Sequence, residues 1–265
     1  MILYAQRNKD IHSMEGIGMR LDKFLCEMNM GSRSQVKILI RQGTVAVNDI
    51  PATNPDQRID EFSDRIAFRG KILQYRRFVY YMMNKPEGVV SASRDNMART
   101  VVSLLGKDAR EGIFPVGRLD KDVTGLLLLT NDGDLAHRLL APKKHVDKTY
   151  RAFLEHDLLP VDIRRLESGL DIGEESLTLP ARVTVLEERT ILLTLHEGKF
   201  HQVKRMLQAV DNQVLQLQRT AFGGLTLDQN LKPGEYRELT GEELETLRKS
   251  GQGSRKAQEE PENET

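Results

Sequence analysis

The chain has one cysteine, Cys26, which excludes an internal disulfide. Its neighbours Phe24, Leu25 and Met28, on a helical pattern, mark it as a reduced core residue. Neither sign of charge is in excess, since Lys plus Arg and Asp plus Glu each number 39. Net charge therefore gives no argument for nucleic acid, and any basic surface has to be assembled locally. No run approaches the ~18 consecutive apolar residues of a membrane helix, and the N-terminus lacks the apolar stretch of a secretory signal. With 39% hydrophobic and 29% charged residues, the chain reads as soluble and globular, with a cytoplasmic location and no membrane partner expected. Gly-x-x-x-x-Gly-Lys-Ser/Thr and Gly-x-Gly-x-x-Gly are both absent, and no Cys or His residues pair at zinc spacing; the six histidines are dispersed. No nucleotide, metal or redox cofactor is expected.

What is present is organised around residues 117–133, Gly-Arg-Leu-Asp-Lys-Asp-Val-Thr-Gly-Leu-Leu-Leu-Leu-Thr-Asn-Asp-Gly. A charged loop leads into a four-leucine run too short for anything but a buried strand, and an Asp-Gly turn follows. A carboxylate just before a buried strand is held by rigid scaffold while its head reaches into a cleft, which makes Asp120 the candidate functional residue. On the charge pattern alone, Arg118, Asp120 and Asp122 read equally well as loop charges that keep a turn soluble.

The 265 residues leave room for two domains. Residues 1–18 are weakly patterned, with Met14 and Met19 as alternative starts, and read as a loose extension or a short docked arm. Leu21, Phe24, Leu25 and Met28 follow helical spacing up to Gly31. A second helix runs from Ser32 or Ser34 to Gln42, with Val36, Leu39 and Ile40 inward and Gly43 at its end. On it Arg33, Lys37 and Arg41 recur every four residues with no acid among them, a stripe suited to RNA phosphates or to plain solvation. Thr44–Val47 reads as a strand with Asn48-Asp49 as its turn, and residues 65–77 as a connector with room for a closing strand.

From Phe78 a buried strand runs to Pro86, and a helical stretch covers Thr100–Leu105. Asp134 is placed to cap a helix over Leu135–Leu140, which Pro142 ends. Lys143, Lys144 and Lys148 then cluster before a strand containing Tyr150, either as phosphate contacts or as an ordinary wet loop. After a helix near Val161–Leu166, alternation predicts paired strands over 181–186 and 191–195. Residues 197–207, Glu-Gly-Lys-Phe-His-Gln-Val-Lys-Arg-Met-Leu, form a strand-to-helix junction with Lys204 and Arg205 in the first turns, where the helix dipole disfavours cations. Breaking a local stability rule is a reason to suspect function. Strands follow at 214–217 and near Leu225. A capping box at Thr240 opens a last helix to about Lys249, and 250–265 has the composition of a disordered tail.

The run from Gly117 resembles the signature of pseudouridine synthases, in which the Asp after Arg-Leu is catalytic; Val123 departs from the Thr that many members carry. Gly-Arg-Leu-Asp, rather than His-Arg-Leu-Asp, resembles the branch that acts on ribosomal RNA behind an N-terminal S4 domain. Residues 19–64 in turn resemble an S4 RNA-binding module, whose near balance of acids and bases implies modest affinity on its own. Asn84–Gly88 resembles the first synthase motif, a turn beneath the cleft without a catalytic role. Lys148-Thr149-Tyr150 resembles the motif that supplies an active-site aromatic, and His201–Met206 the motif whose basic residue, here Lys204, pairs with the catalytic Asp.

The resemblance implies an α+β chain: an S4 domain, then over 78–249 a synthase domain on a mixed, mostly antiparallel sheet with a central cleft. Asp120, Tyr150 and Lys204 are the expected catalytic set. Arg118, Arg33, Lys37, Arg41, Lys143, Lys144, Lys148, His201 and Arg205 are the expected RNA contacts. The wording His-Gln-Val-Lys-Arg-Met resembles the small-subunit enzyme, so the expected partner of this monomer is 16S rRNA in a partly assembled small subunit. A 23S rRNA enzyme or a non-catalytic S4-type binding protein are the alternatives.

Overall fold

The computed structural model describes residues 18–252. It divides into two compact units, one comprising the chain through Arg77 together with Lys107–Glu111, the other Phe78–Gly106 together with the chain from Gly112 onward.

The first unit contains β1 (Met19–Arg20), α1 (Leu21–Glu27), α2 (Arg33–Arg41), β2 (Val45–Val47), β3 (Ile50–Pro51), β4 (Arg58–Ile59), β5 (Ile66–Phe68) and β6 (Lys71–Leu73). Leu21, Phe24 and Leu25 of α1 and Val36 and Ile40 of α2 are buried with Val45, Ile59 and Ile66 in one core. Ser32 caps α2 in a reciprocal box with Gln35. Leu39, expected inward, is only half-buried. Asn48 and Asp49 both take left-handed backbone (φ 51° and 66°), as a two-residue hairpin between twisted strands requires.

Residues 65–77 are more than a connector. β5 pairs antiparallel with β2 from Val45↔Phe68 to Val47↔Ile66, and β6 completes the order β3-β2-β5-β6. Tyr75 stacks 5.5 Å from Phe24 and donates to Glu27 Oε2 at 2.7 Å. Interleaved charges and the reversal at Arg69-Gly70 obscure the two short strands in the sequence.

The second unit contains β7 (Tyr80–Lys85), β8 (Phe114–Pro115), β9 (Thr124–Thr130), α3 (Gly133–Leu140), β10 (Lys148–Leu154), α4 (Pro160–Ser168), β11 (Arg182–Glu187), β12 (Thr190–Leu195), α5 (Gln202–Gln208), β13 (Val214–Phe222), β14 (Leu225–Thr226), β15 (Tyr236–Glu238) and α6 (Gly241–Gln252). Its sheet runs β11-β12-β10-β13-β9-β7-β15, with β14 on β13 and β8 on β9. Only the β9–β13 pair is parallel, so the sheet is mixed and mostly antiparallel. The four leucines of β9, Leu126 to Leu129, are all buried; Leu126 and Leu128 pack with Leu135, Leu139, Phe222 and Leu247. Where β9 meets β13, Gly125 has φ +101° and a Cβ there would lie 2.3 Å from the Arg219 carbonyl oxygen, so only glycine permits the parallel contact.

Two helix ends differ from expectation. Asp132, not Asp134, caps α3: its Oδ1 accepts from Leu135 N at 2.9 Å, because Asp132 is the last residue with extended backbone. The final helix continues past Lys249 to Gln252, with Ser250 donating to Gly223 O at 2.8 Å and Gly251 buried. The remainder of the expected tail, 253–265, and residues 1–17 of the expected extension lie outside the described residues.

Candidate active site

Asp120 stands on the loop that enters β9, and that loop is fastened from below. Ser91, buried, accepts from Leu119 N at 3.1 Å and donates to Leu119 O at 2.8 Å, so the residue before Asp120 is fixed on both sides. Lys85, at the end of β7, has no exposed surface. Its Nζ donates to the carbonyls of Pro86 (3.1 Å), Lys121 (3.3 Å) and Val123 (2.7 Å). Burial pulls the Lys85 pKa down to about 8, although Asp122 and Asp120 act to raise it. Val123 N returns to Asp120 O at 3.1 Å and closes the turn.

Facing this loop, α5 is preceded by His201, its N-terminal flanking residue, in left-handed conformation (φ 47°). Gln202 is buried and ties the junction together by accepting from Lys199 N at 2.9 Å and donating to Glu197 Oε1 at 2.7 Å. One turn along, Lys204 Nζ lies 3.3 Å from Asp120 Oδ2 and 2.8 Å from each oxygen of Asp122. His201 Nε2 lies 3.5 Å from Asp120 Oδ1. Burial opposes the charge on Lys204, but the hydrogen bond to Asp122 and the charges of Asp120 and Asp122 outweigh it and raise its pKa. The bond from Lys204 in turn lowers that of Asp122.

Asp120, His201 and Lys204 line a cleft of about 310 Å³, together with Arg118, Tyr150, Lys148 and Arg219. Arg118 is exposed at the cleft, and Tyr150 is half-buried on β10. Lys148 donates to Val146 O at 2.8 Å; burial and the neighbouring Arg219 charge lower its pKa to about 8. A carboxylate, two basic partners, an aromatic ring and a cleft the size of a small ligand pocket, roughly 300 to 1,000 Å³, suit a single nucleotide taken out of its stack.

The other expected RNA contacts are arranged differently. Arg205 is engaged away from the cleft, hydrogen-bonded to Glu174 Oε1 at 2.5 Å and to the carbonyls of Phe200 and Ile172, so it braces the loop before β11. Lys144 donates to Gln252 O at 2.9 Å, while Lys143 is exposed outside the cleft lining. In the first unit, Arg33 and Arg41 are exposed and Lys37 half-buried, and none of the three forms an ion pair among the described residues.

Ser91 and Arg219 lie outside every expected motif, and Lys85 lies in the Asn84–Gly88 turn, where it fastens the Asp120 loop. The sequence signal for Arg219 is parity: it shares the inward face of β13 with Leu217, where alternation leads one to expect an apolar residue.

Residues 79–209 match the RNA pseudouridylate synthase family and residues 19–66 the S4 domain. An uncharacterised RNA pseudouridine synthase of Bacillus subtilis is 47% identical over 86% of this chain and 98% of its own. The ribosomal small subunit pseudouridine synthase A of Vibrio cholerae is 40% identical over 86% and 99%. The ribosomal large subunit pseudouridine synthase B of Bacillus subtilis is 38% identical over 86% and 95%. A crystal structure of a pseudouridylate synthase superposes with a TM-score of 0.62 at 36% identity, covering 87% of this chain and all of the other. With residues 19–66 and 79–209 both matched and the relatives spanned nearly end to end, this chain belongs to the RNA pseudouridylate synthase family and carries an S4 domain ahead of its synthase domain.

Proposed function

We propose that this protein converts one uridine of 16S rRNA to pseudouridine in a partly assembled small ribosomal subunit, acting as a monomer without a cofactor. The reaction detaches uracil from the ribose, turns it and rejoins it through C5, so atoms are conserved and no group donor or oxidant is needed. The target leaves its stack to reach the cleft. Asp120 is the nucleophile, Lys204 is its cationic partner, and Tyr150 stacks on the base. Arg118 fills the vacated place in the RNA or holds its phosphate, with Lys148 and His201 as further contacts. The observation that carries this reading is Lys204 Nζ at 3.3 Å from Asp120 Oδ2, on a cleft that Tyr150 also lines.

Identity alone does not choose the RNA, since relatives named for the small and for the large subunit stand at 40% and 38%. The wording of the third motif, His201 to Met206, favours the small subunit. A separate S4 domain lets the enzyme grip structured RNA away from a target that assembly later buries. The test is pseudouridine formation on naked 16S RNA, partial small-subunit particles, finished 30S subunits and 23S RNA. Partial particles are expected to be the best substrate; preference for 23S RNA overturns the assignment, and equal rates on finished subunits remove the assembly step.

A further inference from the structure

Arg219 is 2% exposed and lies on the inward face of β13. Its Nε donates to Leu126 O at 2.8 Å, and its guanidinium lies 5.0 Å from the Phe222 ring centroid. Nη2 is buried and has no hydrogen-bond partner among the described residues, and no carboxylate there pairs with the charge. A buried cation left without a counter-ion is costly, and an unused buried donor adds to the cost, so its retention calls for a ligand. Arg219 lines the same cleft as Asp120 and is the cross-strand partner of Tyr150.

On the reading that the cleft takes a uridine, we propose that Arg219 is a base-recognition residue whose Nη2 donates to a carbonyl oxygen of the target uracil. A base laid against Tyr150 brings its edge over β13, next to Arg219. Arg118, exposed at the cleft, is left for the RNA backbone or the vacated stack. The strong acceptors on a uracil edge are O2 and O4, and a guanidinium held by Leu126 and Phe222 has an unused donor for one of them. Such a donor also rejects cytosine if it reads O4, because cytosine offers an amino group there.

The test uses an rRNA fragment carrying uridine, 2-thiouridine or 4-thiouridine at the mapped target position. Sulfur is the weaker acceptor, so wild-type turnover should fall about tenfold or more for one thiouridine relative to the other, as loss of a charge-assisted hydrogen bond implies. In Arg219→Lys, checked for folding by its melting temperature, that difference should vanish although overall turnover is lower. A difference of the same size in the folded variant overturns the proposal. So does wild-type turnover that is equal on all three RNAs, which decides the matter even where the variant does not fold. Absence of pseudouridine from every uridine-containing rRNA defeats the underlying functional reading instead, a different and recognisable result.

Discussion

Lys204 reaches both oxygens of Asp122 at 2.8 Å while standing 3.3 Å from Asp120. The cation is anchored by the outer acid and leans on the inner one, so Asp120 keeps a positive neighbour at Oδ2 while His201 stands 3.5 Å from Oδ1. Asp122 is more exposed than Asp120, with 61% against 31% of its side chain accessible, which fits an orienting role. Lys204→Met should fold and bind RNA but lose about 100-fold or more in kcat, the scale of removing one preorganised charge partner. Lys204→Arg should retain most activity. Comparable rates for Lys204→Met and the wild type would remove Lys204 from the mechanism.

Asp120→Asn preserves shape and removes the nucleophile. Its side chain is partly exposed and carries no core packing, so stability should change by less than about 1 kcal/mol while pseudouridine formation disappears. Mass-silent mapping by chemical labelling of pseudouridine reads the outcome, and turnover near the wild-type rate rules out nucleophilic attack by Asp120.

Lys148 gives two pH dependences of opposite sense. Its pKa in the fold is about 8, against an ordinary 10.5, because burial disfavours the charge. Its contribution to RNA binding should be present below pH 8 and fade as pH rises through 8, so wild-type affinity weakens several-fold between pH 7 and 9 more than that of Lys148→Met. Between about 8 and 10.5 the unfolded chain holds the proton that the folded one has lost, and stability attributable to Lys148 therefore rises with pH in that window. Parallel binding profiles for the two proteins would place Lys148 outside the RNA contact.

Arg33, Lys37 and Arg41 should act through phosphates. Replacing all three with Ala is expected to weaken RNA binding across sequences and to lower the slope of log affinity against log salt by roughly one unit per lost contact. Circular dichroism checks that α2 survives, since Val36 and Ile40 carry its packing. An unchanged slope means that the stripe meets only water.

The sequence by itself determined the parts whose signals are local. The run of four leucines could only be a buried strand, a cap at Ser32 or Ser34 and the Asn48-Asp49 turn followed from short-range backbone chemistry, and the Gly-Arg-Leu-Asp wording singled out Asp120; the structure chose Ser32. The strand-to-helix junction with cations where the helix dipole resists them pointed to Lys204 and Arg205 alike, and the motif resemblance chose Lys204. What only the tertiary structure decided depends on groups far apart in the chain. Lys204 meets Asp122 across 82 residues, Arg219 meets Leu126 across 93, and Lys85 holds the carbonyl of Val123 across 38. Arg205 looked as available as Lys204 from the same helix, but successive helical residues point about 100° apart, so one faces the cleft and the other braces a loop. Likewise β5 and β6 became legible only once β2 supplied the edge on which they pair, because a three-residue strand owes its existence to its neighbour's hydrogen bonds.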